Sequence, residues 1–495
     1  MDTTEKEDLN LHANDDNGKA RNESNTSALS ALMKFFYINE VPSYGNNFFF
    51  TIGVYLLELF AILAATGIIM LIFGPYWWDL TSAGAFVRSI HLWAAEAFVT
   101  LILLHFTVQL FTSAYRQKRL VWMIGVVLLL LVFLEYAFGI GLRGDFVSQW
   151  NDKAGADLWN GLGLGYWVNP LNNGALLGWH VAIVPLLLVV LIFTHYMLVK
   201  SKGLNKPYRS DIPYSMVPAN HRSMYRRMVY VLAIVIVFAV FLRAPYIPPL
   251  TIQSVAQSSP GIMASTLLKE LNQSSNTATY FDTIDPYAFN TSMVYFVKPY
   301  DEYINSSLGT RNWLSLYFME NPSQRTQTFD SAYRFFKGNW TFASASNSTN
   351  PLIESTASLV KLAQGGTYQQ MLQGEVASGL NYTYVIRFLS DTRVLQSTAT
   401  KYGLRTSQLG MIKAGGIWWQ IGSYWTLPYN YLEIFTAGIP WWSDLENGVI
   451  AVVVFALLLF LPYIPGLRAL PDKLRLYKVF WNRFTVPEMK KKRKA

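Results

Sequence analysis

Six apolar runs long enough to cross a bilayer, near 50 to 74, 84 to 114, 119 to 142, 176 to 200, 228 to 244 and 447 to 466, leave this chain few folds to choose from. Hydrocarbon offers no water to backbone N–H and C=O groups, so runs of this kind fold as helices that satisfy those groups internally. The expected class is an all-α membrane protein of about six transmembrane helices. No cysteine occurs among the 495 residues, which excludes disulfides, thiolate-held clusters and thioether-anchored cofactors within the chain.

The net charge of +9 does not point to nucleic acid, because Lys and Arg gather beside the apolar runs, at Arg116 to Arg119, Lys200 to Arg227 and Lys490 to Lys494. Such clusters mark cytoplasmic flanks. With the loops after the second and fourth runs inside the cell, both termini are cytoplasmic: 1–35 as a polar, disordered tail without a signal-peptide pattern, and 471–495 as a basic one. Trp77 and Trp78 then sit in a short outer loop at the membrane interface, and the outer segment between the third and fourth runs has room for short surface helices. The stretch 251–425 lacks spans, is rich in Ser, Thr, Asn and Tyr, and also falls outside. It reads as an inserted domain of unknown fold. Its six Asn-X-Ser/Thr sequons, at Asn272, Asn290, Asn305, Asn339, Asn347 and Asn381, are open to N-glycosylation on that face, chance in a Ser/Thr/Asn-rich segment being the other explanation. Its 22 charges (12 basic, 10 acidic) are sparse for a solvated surface, as would suit an acidic exterior.

Only six histidines occur, and His91, His105, His180 and His195 fall deep in the second and fourth runs, where ionisable side chains are costly and usually functional. His91 and His105 are 14 apart, His180 and His195 are 15 apart, and at about 100° per residue each pair returns to nearly one helix face. Two such helices facing each other present stacked pairs: His91 with His180 near the outer surface, and His105 with His195 about 20 Å further in. Paired imidazoles of this kind suit two six-coordinate haems, b-type or a-type, built for electron transfer and not for oxygen binding. Interhelical hydrogen bonding explains a single intramembrane histidine as well, but a set of four in register far less so. Gly53 and Gly67 in the first run, and Gly125 and Gly139 in the third, repeat the 14-residue period, and glycine lets the edge of a flat macrocycle approach the backbone. The expected core is a four-helix di-haem bundle over 36–225, followed by a fifth span within 226–250. Arg88, three residues before His91, either neutralises a haem propionate or snorkels to the interface. The same two readings apply to Lys200 and Lys202 after His195, where positive-inside topology is slightly favoured.

These residues resemble the cytochrome b family of quinol-oxidising bc complexes, and in the fourth span its photosynthetic branch, where the second histidine pair is also spaced by 15. Arg88-Ser89-Ile90-His91 is similar to the family's Arg-x-x-His, and Arg119-Leu120-Val121-Trp122 before Gly125 to its Arg-x-x-Trp. Tyr196 to Pro207 looks like the loop leaving the fourth helix, and Ile212-Pro213-Tyr214 like the Ile-Pro-Phe before the fifth. Gly139 to Trp150 keeps the Gly, Leu, Asp, Ser and Trp spacing found where the outer quinol site begins. The resemblance runs through all six spans, excludes the insert, and fits an archaeal thermoacidophile variant. It implies a respiratory subunit with a Rieske iron-sulfur partner, in which an outer quinol gives one electron to that partner and one to the outer haem. The second electron crosses through the inner haem to a quinone near the cytoplasm.

The departures from the family lie at the outer site. Its Pro-Glu-Trp-Tyr motif stands here as Pro428-Tyr429-Asn430-Tyr431, so the carboxylate expected to take a quinol proton is missing in register. The quinol-site segment 426–470 keeps Tyr429, Asn430, Tyr431 and Glu433 as candidate catalytic residues together with Asp145; Tyr429, Glu433 and Asp145 are the available substitutes. Arg143-Gly144 replaces a Pro-Trp pair, and Ala175 stands where an Arg is expected five residues before His180. The last helices of longer relatives are expected to be absent or to come from another subunit. At the inner site Asp211 and His221, in the loop before the fifth span, either exchange protons with a membrane quinone or form a solvated pair. The aromatic stretch 417–442 either builds a quinone pocket or serves as an interfacial belt. A haem-anchor subunit, passing electrons between the quinone pool and another redox subunit without bifurcation, is the alternative function. A non-redox scaffold is opposed by the histidine set.

Overall fold

The computed structural model describes residues 38–206, 214–279, 289–307, 311–374, 380–412, 423–439 and 444–484. The tail at 1–35, Asp211 with Ile212-Pro213, and Lys490 to Lys494 lie outside them. Each apolar run is a helix, and among the described residues six helices have the length and hydropathy to cross a membrane, so the chain is the all-α multi-pass membrane protein its sequence predicts. In chain order these are α1 (Phe48–Leu80), α2 (Ser82–Phe111), α3 (Arg119–Gly141), the non-spanning α4 (Phe146–Gly161), α5 (Asn173–Lys202), α6 (His221–Phe241), the short α7 (Leu427–Thr436) and α8 (Asp444–Phe460).

Capping residues set several boundaries that hydropathy places elsewhere. Asn220 Oδ1 accepts the Ser223 N–H, so α6 begins at His221, before its apolar part. His221 therefore heads a helix, which corrects its expected place in a loop. The 33-residue α1 breaks at Gly74 (φ +75°) ahead of Pro75 and carries Trp77 and Trp78 beyond the break. Thr81 then closes the link to α2 by accepting the Gly84 N–H. The segment after α3 does hold a surface helix, α4, started by an Asp145 and Ser148 capping box.

The bundle pairs α1 with α2 and α3 with α5, and α6 lies against α2. Trp93, Phe98, Leu128, Val132, Leu188 and Val235 pack between them. Outward-facing positions are equally apolar: Ile72 is 71% exposed and Phe241 78%, which suits lipid and not water. At the end nearer His105, strand β1 (Glu40–Pro42) pairs antiparallel with β2 (Met216–Pro218). The segment after α8 returns to the α2–α3 turn, where Asp472 meets Arg116 and the Ser113 hydroxyl (2.8 Å), and Tyr115 donates to the Arg468 carbonyl (2.7 Å).

Between α6 and α7 the described chain is a set of short helices around their own core, including Leu267, Tyr295, Phe296, Leu352, Leu359 and Phe388. The Ser, Thr and Asn content of this stretch has a structural use. Thr251, Asn312, Asn321, Thr341 and Asn350 each cap a helix N-terminus with a side-chain oxygen. A polar knot also lies in this core, where the Glu270 and Asp391 carboxyls meet. Burial first, and Asp391 second, push Glu270 up to about 9, and the Ser275 hydroxyl donates to its Oε2 at 2.6 Å. The insert docks on α4 through Arg387 to Asp157 (2.7 Å) and through the Trp150 indole to the Leu404 carbonyl (2.9 Å). Burial would raise the Asp157 carboxyl, but Arg387 and Lys153 outweigh it and hold it below the usual range. Of the sequons, Asn272, Asn290, Asn339 and Asn347 are exposed. Asn381 is half-buried, with Oδ1 accepting the Thr383 N–H.

Candidate functional site

α2 and α5 bring His91 and His180 face to face, with ring centroids 6.3 Å apart and planes at 74°. Their hydrogen bonds fix the tautomers. Thr66 Oγ1 donates its proton to the Ile62 carbonyl at 2.7 Å, so towards His91 Nδ1, 2.9 Å away, it accepts. His180 Nδ1 lies 3.2 Å from both the carbonyl and the Oε1 of Glu135, and therefore also carries its proton. Both Nε2 atoms keep their lone pairs. Imidazoles that bind a metal are oriented in this way, through the second nitrogen's bond to an outer acceptor. The spacing also fits: two metal–nitrogen bonds of about 2 Å, and about 1 Å from each nitrogen to its ring centre, come to roughly 6 Å.

A turn of π-helix, Trp179–Ile183, contains His180 and accounts for the uneven histidine spacing. It takes up one residue more than an α turn, so a 15-residue separation in α5 presents its histidines as a 14-residue separation does in α2. His105 and His195 lie within electrostatic reach of each other. The Nδ1 atoms of both are buried without a hydrogen-bond partner; the Val121 carbonyl stands beside His195 but outside bonding geometry. Three of the four period-14 glycines abut histidine rings. A Cβ on Gly67 would lie 3.5 Å from His91 Cε1, on Gly125 3.5 Å from His195 Cε1, and on Gly139 2.9 Å from His180 Cε1. Gly53 meets nothing within 4 Å. Paired rings with oriented or unbonded nitrogens, edged by backbone without side chains, fit an axially ligated macrocycle.

The other predicted site residues are placed differently. Arg88 is partly buried and donates to Asp79 (2.9 Å) and to the Pro245 carbonyl (3.4 Å). Asp145 is fully buried; its Oδ1 accepts the Ser148 N–H of the α4 cap and its Oδ2 pairs with Arg143 at 2.6 Å. Tyr429, Asn430, Tyr431 and Glu433 ride together on α7. Asn430 is buried and donates to the Thr406 carbonyl (3.0 Å), whereas Tyr431 is half exposed and stacks with Phe435. The residues just before α7 enter the bundle. Trp425 packs edge-on to Tyr136 of α3 at 4.2 Å, and the Tyr424 hydroxyl meets Thr100 of α2 at 2.5 Å. Tyr136 in turn donates to Glu96 Oε1 at 2.6 Å. Glu96, Tyr136, Thr66 and Glu135 were not singled out from sequence; an acid within an apolar run was the available signal for Glu96 and Glu135.

Comparison with known proteins matches residues 96–260 to the family model for cytochrome b (N-terminal)/b6/petB. Cytochrome b6 of Heliomicrobium gestii is 25% identical over 196 residues, 34% of this chain and 89% of that protein. Cytochrome b6 of Chlamydomonas reinhardtii is 28% identical over 189 residues, 32% of this chain and 86% of that protein. Over this segment the chain is similar to bc-type cytochromes b. The cytochrome b subunit of the cytochrome bc1 complex of Mycobacterium tuberculosis (strain ATCC 25618 / H37Rv) adds 44% identity over a shorter stretch of 66 residues, 13% of this chain and 12% of that one.

Proposed function

We propose that this chain is the di-haem cytochrome b subunit of a quinol-oxidising respiratory complex, moving electrons across the membrane between an outer and an inner quinone site with a Rieske iron-sulfur partner. The observation that carries this reading is the His91–His180 pair, 6.3 Å apart with both Nδ1 protons committed to outer acceptors. His91 and His180 would hold one haem, and His105 and His195 the other. Haem iron held by two imidazoles supplies one-electron transfer with no coordination position left for oxygen. The chain's part is positional. Thr66 and Glu135 set the outer tautomers, Gly67, Gly125 and Gly139 keep side chains away from the ring edges, and apolar packing on α2, α3 and α5 holds water out. Both termini are assigned to the cytoplasm and the insert to the outer face, where its exposed sequons are open to glycans. A reduced-minus-oxidised spectrum of membranes containing the chain tests the reading. Two low-spin haem populations that quinol reduces are expected, and a spectrum without haem rejects it.

A further inference from the structure

The family's motif carboxylate is absent from α7, yet a carboxyl that no role so far accounts for is buried in the bundle nearby. Glu96 is 6% exposed, within a span, and its Oε2 is buried with no hydrogen-bond partner. Glu58 and Glu135 also have an Oε2 buried without a partner, but Glu135 Oε1 is engaged by His180, and Glu58 lies on the half-exposed face of α1. Glu96 stands five residues past His91, about 140° round the helix, so it faces away from the histidine tier while sharing its depth to within two turns. Tyr136 holds Oε1 and stands one turn before Gly139, which abuts His180. Trp425 and Tyr424 close over this pair from the segment that leads into Pro428. Thr100 donates to the Glu96 carbonyl at 2.7 Å, so the Tyr424 hydroxyl donates to Thr100 and is not available to the carboxyl. An acid left with one free oxygen among aromatic walls, on the face of α2 and α3 reached by the motif segment, is arranged to meet a flat aromatic molecule carrying a hydroxyl.

We propose that Glu96, oriented by Tyr136 and covered by Tyr424 and Trp425, is the proton acceptor for hydroquinone at the outer site. In that step one hydroquinone O–H bond breaks, its electron pair stays on the quinol oxygen, and the proton joins Oε2. The inference rests on the reading of this chain as a quinol-oxidising cytochrome b. The two are separated by measuring, in native membranes, the dithionite-reduced haem spectrum and the rate at which duroquinol reduces the haem. Glu96→Gln is expected to keep the full spectrum and to slow duroquinol reduction at least tenfold, with Glu96→Asp recovering part of the rate. Tyr136→Phe is expected to slow it several-fold. Duroquinol reduction at the wild-type rate in Glu96→Gln overturns the assignment. Loss of haem from both Glu96→Gln and Glu96→Asp also overturns it, by making Glu96 a packing residue. Wild-type membranes without haem overturn the underlying reading instead.

Discussion

The bundle and the insert differ in the polar groups they bury and in what those groups meet. In the insert, apolar side chains go inside and the buried acids find each other: Glu270 meets Asp391, and Asp157 of α4 takes Arg387. In the bundle the outer surface is apolar, and the polar groups inside are left with an unused side, as in the Nδ1 atoms of His105 and His195 and the Oε2 of Glu96. A buried polar atom without a partner costs roughly 1–3 kcal/mol. Buried atoms without a partner occur in both regions, Glu354 Oε2 and Gln396 Oε1 among those of the insert, but only in the bundle do facing histidine pairs stand among them.

Substitutions sharpen this contrast, and the largest effect falls on the histidines. His91→Leu is expected to remove one of two haem signals in the reduced-minus-oxidised spectrum and leave the other; an unchanged spectrum breaks the pairing. Gly139→Val comes next, because its Cβ would stand 2.9 Å from His180 Cε1. Loss or a marked shift of the same haem signal is expected, while Gly178→Ala, with nothing within 4 Å, serves as a silent control.

In the insert the effects should be on stability and not on spectra. Asp157→Asn leaves the Arg387 cation buried without its counter-charge, a loss of about 3–5 kcal/mol for a buried pair, to be read as earlier thermal unfolding with haem content unchanged. The Glu270 knot gives the smallest and most graded effect. Its folded value of about 9 lies above that of an unfolded glutamate, so its contribution is complete below about pH 4.5 and is lost as pH rises through 9. The insert is therefore expected to unfold at lower temperature as pH rises across that window, and Glu270→Gln to flatten the dependence. A wild-type insert that is more stable at pH 9 than at pH 5 would contradict the sign. The same direction agrees with the acidic exterior expected from its sparse charges.

Much of the bundle was legible because hydropathy and a 14-residue period are properties of single helices. His91 with His105, and Gly125 with Gly139, needed no knowledge of neighbours. The 15-residue spacing in α5 was legible as a number but not as a cause, since a π turn leaves no mark in composition. The start of α6 was missed because the Asn220 cap precedes the apolar residues that hydropathy counts. The Glu96 arrangement was out of reach for another reason: Thr100 and Tyr424 are 324 residues apart, and contacts over that distance are made by the fold. In the insert, Asn and Thr residues visible in the sequence only as composition cap short helices.

The central claim is that four histidines form two tiers of axial ligands. Low-temperature electron paramagnetic resonance of the oxidised chain in membranes, combined with a redox titration, tests it most directly. Two low-spin ferric signals titrating at separate potentials, one lost in His91→Leu and the other in His105→Leu, are predicted. A single haem, a high-spin iron, or both signals surviving either substitution would contradict it.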